Sequence, residues 1–325
     1  MGSYRLILAL LVLLSHCGIR FYNKNEGVMA VVSFYIISGY VITKLINSHY
    51  EGRNNITYFY ADRALRLFPQ FLFYLVITII SHLYFDGLEK INITRIFINA
   101  IMIPLNLFAV YNNEFIIVPQ SWSLGLEMQF YILIPMIILL SRQKQISILS
   151  LVIFSIAYTG FINTDYWGYR MIPGTIFIFL LGSMLAEYEQ NKKFLWTIYG
   201  LCLPAFVAAI IITHFSHEFN FEILLGILIG LPTTSMLFKL KIKNKLDILL
   251  GNMSYGVYLN HLFFFYTYNK LGVPVLQWNG VLLIIASSLT LSILTYYIIE
   301  KPVYNTRHKL RRKQEVPSTL INSHV

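Results

Sequence analysis

Charged residues are scarce in this chain of 325 residues, because Lys, Arg, Asp and Glu together make up only 12% of it. An ordinary soluble domain carries about 25%. Hydrophobic residues reach 57%, and they fall in long runs that a soluble core does not need. The deficit of charge therefore excludes a soluble globular protein and favours an all-α, polytopic integral membrane protein.

Cysteine and metal ligands are equally sparse. The two cysteines, Cys17 and Cys202, lie in apolar runs far apart, so we expect inert core thiols rather than a disulfide. His214, His217 and Glu218 have no supporting ligand cluster, and we interpret them as solvated residues. The chain also lacks a glycine-rich nucleotide-binding loop and an internal repeat. We therefore expect no metal and no resident cofactor.

Apolar runs long enough to cross a membrane occur ten times. Each has roughly the 20 residues that a helix needs to span the hydrocarbon. Another stretch, 95–111, is interrupted by Pro104 and Asn106, and we interpret it as an interfacial or re-entrant segment. The ten predicted spans are 4–22, 27–46, 64–85, 122–140, 146–163, 170–188, 194–213, 221–239, 250–269 and 278–299.

The basic residues indicate the orientation of these spans. With the N-terminus inside, 19 Lys and Arg residues fall inside and six outside, which together are the 25 in the chain. Cytoplasmic loops carry such an excess, so both termini are predicted to be cytoplasmic. The net charge of +10 thus reflects topology, and no nucleic-acid partner is expected. The outside residues are Arg20, Lys24, Lys90, Arg95, Arg170 and Lys270.

The chain divides into a membrane-embedded core and a tail. The core covers 1–302 and contains every predicted span. The remaining residues, 303–325, form a short basic tail that we expect to be cytoplasmic and partly disordered.

A carboxylate, Glu127, lies inside one of the apolar spans. Ser123, Phe130 and Tyr131 share its helical face at spacings of three and four residues. A carboxylate at that depth costs roughly 2.5–3.5 kcal/mol on insertion scales, so it indicates a function or a buried partner.

A histidine, His16, lies in the first span, on the same face as Arg5 eleven residues earlier. Two explanations stay open for it. His16 could only pack, with Arg5 as a topology anchor. Alternatively it could take a proton, for which imidazole is best suited near neutral pH. Because His16 and Glu127 lie at similar predicted depth, we predict that they pair as a catalytic dyad.

Two arginines, Arg63 and Arg66, stand one helical turn apart at the cytoplasmic mouth of the third span. Two guanidinium groups so placed can clamp phosphates. Ordinary positive-inside anchoring is the alternative explanation, and for two arginines alone it is favoured.

Other polar residues within the spans fit ordinary structural roles, except for one histidine. Ser38 precedes Gly39, a pair typical of close helix packing. Tyr255 and Tyr258 fit an aromatic belt at the membrane interface. His261 shares a face with Tyr258, and its role is ambiguous.

Together these motifs resemble those of the acyltransferase 3 family of integral-membrane acyltransferases. One departure is Met29, where many members carry an acidic residue after Gly-Val, so any role of that acid is absent. The resemblance runs in order over nearly the whole chain, through Arg5…His16, Gly27-Val28, Phe34-Tyr35-Ile36-Ile37-Ser38-Gly39-Tyr40, Arg63-x-x-Arg66, Trp122-Ser123-Leu124-x-x-Glu127-x-x-Phe130-Tyr131, Ser254-Tyr255-x-x-Tyr258-Leu259-x-His261 and Glu300-x-Pro302.

The resemblance implies an acyl-CoA donor, with acetyl-CoA expected, on the cytoplasmic side of a cell inner (plasma) membrane. The acceptor would be a hydroxyl of a surface glycan or of its lipid-linked precursor, such as the O-antigen of lipopolysaccharide. His16 with Glu127 would act as general base or acyl relay. The donor would be held by Arg63, Arg66 and Arg5, and the supporting residues would be Ser38, Ser123, Tyr131, Tyr255 and His261.

Partners and rival functions stay open. Many members carry an extracytoplasmic esterase-like domain, so here we expect action alone, as a homo-oligomer or with a separate extracytoplasmic partner. A glycolipid carrier or flippase would also need charges within the membrane, but it would consume no thioester. A multispanning polysaccharide polymerase is the other alternative, although such enzymes typically depend on large outer loops.

Overall fold

The computed structural model describes residues 1–20, 23–50, 55–88, 91–240 and 244–312, and this part of the chain is helical, without strands. The all-α prediction is therefore confirmed for the described residues. The helices are α1 Gly2–His16, α2 Glu26–His49, α3 Ile56–Asp86, α4 Ile93–Ile101, α5 Leu105–Tyr111, α6 Trp122–Leu139, α7 Gln143–Tyr158, α8 Ile172–Ala186, α9 Tyr188–Ile211, α10 Asn220–Lys239, α11 Lys245–Lys270, α12 Trp278–Thr295 and α13 Lys301–Arg312.

Six of the described helices are long and apolar enough to cross a membrane, namely α2, α3, α6, α9, α10 and α12. Three shorter apolar helices, α1, α7 and α8, accompany them. Each of the ten predicted spans falls on a helix, with α11 as the tenth. The chain is thus a multi-pass membrane protein, while ten crossings and two cytoplasmic termini stay predictions.

The bundle has two distinguishable ends. At one end the Asp247 carboxylate of α11 accepts hydrogen bonds from the backbone N–H of Gly2 at 2.9 Å and of Ser3 at 2.8 Å. Burial alone would raise the pKa of Asp247, but these hydrogen bonds hold it well below its usual value. We call this the basic end, because Arg5 and the early arginines of α3 line a cavity there. The far end is where α1 stops at His16.

Helix α2 packs against α1, α8 and α10 and lies at the centre of the bundle. A Cβ on Gly39 of α2 would lie 1.8 Å from the carbonyl oxygen of Phe179. A Cβ on Gly182 of α8 would lie 1.9 Å from that of Ile36. Only glycine fits such a close approach of two backbones. The packing role predicted for the Ser38–Gly39 pair is therefore confirmed for Gly39.

The interrupted stretch 95–111 forms two short helices, α4 and α5, separated between Met102 and Pro104. Met102 has a φ of +68°, which turns the chain sharply there. Gly125 of α6 lets this turn approach, since a Cβ on Gly125 would lie 2.8 Å from the carbonyl oxygen of Met102. The side-chain amides of Asn106 and Gln129 then join α5 to α6, at 2.7 Å. The re-entrant position of this segment in a membrane stays a prediction.

Helix α13 begins the tail, and it packs against α3. The described part of the tail is helical as far as Arg312, and Arg307 and Arg311 form ion pairs with Asp62 of α3. Partial disorder of the tail stays a prediction. The tail after 312 lies outside the described residues, and so do several residues used to predict the topology, namely Arg53, Lys90, Lys241, Lys243 and Lys313.

Candidate active site

The first cavity, which we call the basic cavity, lies at the basic end and has a volume of about 120 Å³. Helices α1, α2, α3, α6 and α11 line it. Its charged residues are Arg5, Arg63, Arg66 and Glu127. Sequence motifs that lie far apart along the chain thus meet at one place.

Glu127 is held from two helices. The Ser38 hydroxyl of α2 donates a hydrogen bond to its carboxylate at 2.6 Å, and the Tyr131 hydroxyl, one turn along α6, donates another at 2.5 Å. Arg5 of α1 interacts with the same carboxylate electrostatically. Two hydroxyl donors and a nearby cation stabilise an ionised carboxylate. Ser38 and Tyr131 therefore support Glu127 directly, which extends Ser38 beyond a packing role.

The two predicted phosphate-binding arginines already have carboxylate partners. Nε and Nη2 of Arg63 donate to Asp62, and Nη1 of Arg66 donates to Glu300. Asp62 is fully buried and is also held by Arg307 and Arg311. Nη1 of Arg63, and Nε and Nη2 of Arg66, make no hydrogen bond to the described residues. Both side chains line the basic cavity, so these nitrogens are the donors left for a ligand.

Arg5 has a donor to spare as well. Its Nε is buried and has no hydrogen-bond partner among the described residues. A buried N–H group without a partner is costly unless a ligand satisfies it. Arg5 therefore belongs with Arg63 and Arg66 as a cation of the basic cavity.

A second cavity, which we call the far cavity, has a volume of about 80 Å³ and lies around the end of α1. His16 lines it, and the Nδ1 of His16 meets the Nε2 of His261 at 3.0 Å. The two rings are stacked, with their centroids 5.1 Å apart. His261, whose role the sequence leaves ambiguous, is thus the polar partner of His16.

The hydrogen bonds of the two histidines define their tautomers. Nδ1 of His261 lies 3.1 Å from the carbonyl oxygen of Val257, which can only accept, so this nitrogen carries a proton. In the neutral ring, Nε2 of His261 is then an acceptor and receives the Nδ1 proton of His16. Nε2 of His16 is left as the basic nitrogen. A second histidine therefore performs the tautomer-fixing role that a carboxylate performs in many catalytic dyads.

The predicted pairing of His16 with Glu127 is wrong for this structure. His16 bonds to His261, whereas the hydrogen bonds of Glu127 come from Ser38 and Tyr131. The position of a residue along its helix predicts how deep the side chain lies in the membrane. It does not predict which neighbouring helix the side chain faces. The two groups line different cavities, Glu127 the basic cavity and His16 the far cavity.

Tyr258 separates the two cavities. Tyr258 and Val31 line both of them. The hydroxyl of Tyr258 lies 2.6 Å from that of Ser123, and it also donates to the backbone carbonyl of Gln120 at 3.2 Å. Ser123 thus supports Tyr258 rather than Glu127. The basic cavity and the far cavity are therefore neighbours that share Tyr258 and Val31.

The sequence pattern predicts an aromatic belt at the membrane interface for the two tyrosines of α11, and this prediction is wrong. Tyr255 and Tyr258 are both buried in the bundle and do not form an interface belt. Tyr255 donates to the carbonyl oxygen of Leu67 at 2.9 Å, and its ring lies 5.3 Å below the guanidinium of Arg66. The Ser-Tyr-x-x-Tyr spacing is the one sign of these contacts in the sequence.

Arg170 is a residue of the far cavity that motif reasoning missed. It lies in a π-helical turn, Asp165–Arg170, and stacks over the ring of Trp122 at 4.7 Å. Its Nε donates to Asp165 at 2.7 Å. Gln120 lines the same cavity. The one available signal for Arg170 was its membership of the small outside set of basic residues.

Comparison with known proteins identifies the family. The sequence profile of the acyltransferase 3 family, described as an acyltransferase domain, matches residues 4–297. An uncharacterized protein of Aquifex aeolicus is 35% identical over 205 residues, which are 60% of this chain and 91% of that protein. No solved structure matches the chain.

Two longer relatives are named for an O-acetyltransferase activity. The O-acetyltransferase OatA of Staphylococcus aureus is 28% identical over 336 aligned residues, covering 88% of this chain and 55% of OatA. The putative peptidoglycan O-acetyltransferase YrhL of Bacillus subtilis is 24% identical over 332 aligned residues, covering 88% of this chain and 52% of YrhL. The chain thus spans about half the length of these relatives.

Proposed function

This chain belongs to the acyltransferase 3 family, and on that premise we propose that it is a membrane O-acetyltransferase. It takes an acetyl group from acetyl-CoA at the basic cavity and transfers it to a saccharide hydroxyl at the far cavity. The observation that carries the proposal is the meeting of the two cavities at Tyr258, with three arginines in one and a basic histidine nitrogen in the other.

The donor binds at the basic cavity. Its phosphates are held by the uncommitted nitrogens of Arg63 and Arg66 and by Arg5. Guanidinium groups with free N–H edges are the side chains best suited to phosphate recognition. Because basic residues favour the cytoplasmic side, this end faces the cytoplasm, where acyl-CoA is made. The membrane is then the cell inner (plasma) membrane.

The chemical step takes place beside His16. Nε2 of His16 accepts the proton of the acceptor hydroxyl, and the oxygen attacks the carbonyl carbon of the thioester. The new C–O bond forms while the C–S bond breaks, and the CoA thiolate leaves and receives a proton. His261 keeps His16 in the tautomer that this step needs. Glu127 acts on the donor side, where it interacts electrostatically with Arg5 and helps to position that donor-binding side chain.

The acceptor is a hydroxyl of a surface glycan or of its lipid-linked precursor. An O-antigen of lipopolysaccharide is one such acceptor. The peptidoglycan named for the Bacillus subtilis relative is another. Both place the hydroxyl on the side of the membrane opposite the donor, which agrees with the separation of the two cavities.

The proposal is tested with purified protein in proteoliposomes that contain a total glycan extract of the host cell. We expect label from [acetyl-¹⁴C]acetyl-CoA to appear in alkali-labile ester on the glycan, with one CoA thiol released for each ester formed. The matched control is His16→Ala at the same protein level. Movement of the glycan across the membrane without release of CoA would instead identify a carrier.

A further inference from the structure

The basic residues at the far end have two different uses. Arg95 donates to the backbone carbonyls of Phe115 at 3.0 Å and Glu114 at 2.6 Å, so it ties down a loop. Lys270 is paired with Asp86 at 2.6 Å. Arg170 differs from both, because it lines the far cavity beside His16. Among the described residues that line this cavity, Arg170 is the only lysine or arginine.

Arg170 is held rigidly with two donor groups free. Its Nε donates to Asp165, and its guanidinium stacks at 4.7 Å from the ring of Trp122 and 5.8 Å from that of Tyr169. Its backbone carbonyl accepts a hydrogen bond from Asn106 at 3.1 Å. Nη1 and Nη2 make no hydrogen bond to the described residues. A planar guanidinium fixed in this way presents a two-nitrogen edge that matches a carboxylate or a phosphate.

Gln120 provides a second, independent sign of a ligand. Its side chain is 2% exposed, and its Nε2 donates to the carbonyl oxygen of Leu259 at 2.6 Å. Its Oε1 is buried and accepts no hydrogen bond from any described group. A buried amide oxygen without a donor is costly, and a ligand O–H or N–H would satisfy it. Sugars carry such donors at every position.

We propose that the far cavity binds the acceptor as an anionic saccharide. Arg170 holds its carboxylate or phosphate, Gln120 accepts a hydrogen bond from a hydroxyl or amide group, and the reactive hydroxyl lies at Nε2 of His16. No carboxylate is among the described residues that line the cavity, and the Asp165 carboxylate beside Arg170 is paired with Nε, which leaves Nη1 and Nη2 for the anion. The inference rests on the proposed function, because it names the class of acceptor for that reaction.

The test compares three acceptors with the full-length protein in lipid nanodiscs and acetyl-CoA as donor. The neutral probe is triacetylchitotriose, the carboxylate probe is a hyaluronan tetrasaccharide, and the phosphate probe is N-acetylglucosamine 1-phosphate. We expect kcat/KM for at least one anionic probe to exceed that for the neutral probe by about tenfold or more, as a charge-assisted contact provides. Whichever anionic probe is preferred identifies carboxylate or phosphate as the group bound.

The variants assign the preference to Arg170. Arg170→Gln should raise KM for the anionic probe to that of the neutral one while kcat changes little, and Arg170→Lys should restore part of the preference. Arg20→Gln is the matched control, since it removes a charge from the same end of the bundle outside the far cavity. An equal effect of Arg20→Gln and Arg170→Gln would overturn the assignment.

Direct binding separates this inference from the proposed function. Calorimetry without donor should show that the preferred anionic probe binds the wild type more tightly than it binds Arg170→Gln. Equal use and equal binding of neutral and anionic probes by the wild type would overturn the inference, even if Arg170→Gln does not fold. Binding of the anionic probe without any acetyl transfer would retain the inference and overturn the proposed function.

Discussion

At the scale of single residues, the pair His16 and His261 defines the chemistry of the far cavity. A neutral imidazole fixes the tautomer of its neighbour, but unlike a carboxylate it brings no negative charge to offset the proton that His16 accepts. The site therefore depends on orientation rather than on a raised basicity. Glu127, the costly carboxylate within α6, lies on the other side of Tyr258, in the basic cavity.

The first prediction concerns the coupling of these three residues. His16→Ala should lower acetyl transfer by roughly 10²- to 10⁴-fold, the usual contribution of a general base. His261→Ala should lower kcat by a smaller factor, and it should add little to the loss in His16→Ala because the two act as one unit. The losses of acetyl transfer caused by Glu127→Gln and His261→Ala should multiply in the double variant, since the two residues contact different partners.

These losses are measured as glycan acetylation at matched levels of membrane-inserted protein. Full additivity of His16→Ala and His261→Ala would show that the contact between them has no catalytic importance. Non-additivity of His261→Ala with Glu127→Gln would restore the pairing expected from the sequence.

The residues of the site were predictable, but their partners were not. Each of His16, Glu127, Arg63 and Arg66 breaks the apolar pattern of its span, and that cost marks it in the sequence. Their partners lie on helices that are far apart along the chain. The periodicity of one helix shows which of its residues share a face, but not which face of another helix packs against them. Arg170 escaped because it stands at the edge of its predicted span, at the end of the π-helical turn, where a charge costs little.

At the scale of helices, the basic end combines ligand binding with stability. Arg66 faces Tyr255 of α11 while one of its nitrogens is paired with Glu300. The next prediction concerns the two nitrogens of Arg66 that have no partner among the described residues. Arg66→Lys should weaken acetyl-CoA binding, because an ammonium group lacks the planar fork with which a guanidinium can pair with Glu300 and hold a phosphate at the same time. Titration of CoA into the purified variant measures this effect.

A double variant, Arg63→Ala with Arg66→Ala, provides the limiting case for the same arginines. It should lose most of its affinity for CoA while remaining inserted in the membrane. CoA binding as tight as that of the wild type would assign both arginines to topology alone.

Asp62 is predicted to hold α13 to α3. It is fully buried and faces Arg63, Arg307 and Arg311, so its removal leaves buried cations without a counter-charge. Asp62→Ala should destabilise the protein by about 3–5 kcal/mol, as loss of one partner from a buried ion pair usually does. Lys192→Ala is the matched control, because its pair with Glu189 is exposed and contributes about 0–1 kcal/mol.

Thermal unfolding in detergent, followed by tryptophan fluorescence, measures both variants. Equal midpoints for Asp62→Ala and the wild type would show that the cluster does not attach α13. The attachment was not predictable from the sequence, because an ordinary basic tail has the same composition whether or not it pairs with a buried carboxylate.

At the scale of the whole molecule, hydrophobic run length predicted where the helices lie. Every predicted span overlaps a helix, because a run of about 20 apolar residues leaves the backbone few alternatives in a membrane. The break in 95–111 was predictable from Pro104, but the sharp turn at Met102 was not. The close packing of α2 with α8 depends on glycines whose partners only the fold reveals.

The topology gives a further prediction. Ten crossings with both termini in the cytoplasm require that the C-terminus and the segment 214–220 lie on opposite sides. Alkaline phosphatase and green fluorescent protein fusions after Val325 and within 214–220 report the side directly. An extracytoplasmic C-terminus would contradict this topology.

The most direct test of the central claim is a sided transfer assay in sealed, uniformly oriented proteoliposomes. Labelled acetyl-CoA is supplied only on the side of the basic end, and the membrane-impermeant acceptors triacetylchitotriose and hyaluronan tetrasaccharide only on the side of the far end. The account predicts acetylated acceptor with the wild type and none with His16→Ala. It also predicts none when donor and acceptor exchange sides. Equal transfer with the sides exchanged, or transfer only when both substrates share one side, would contradict it.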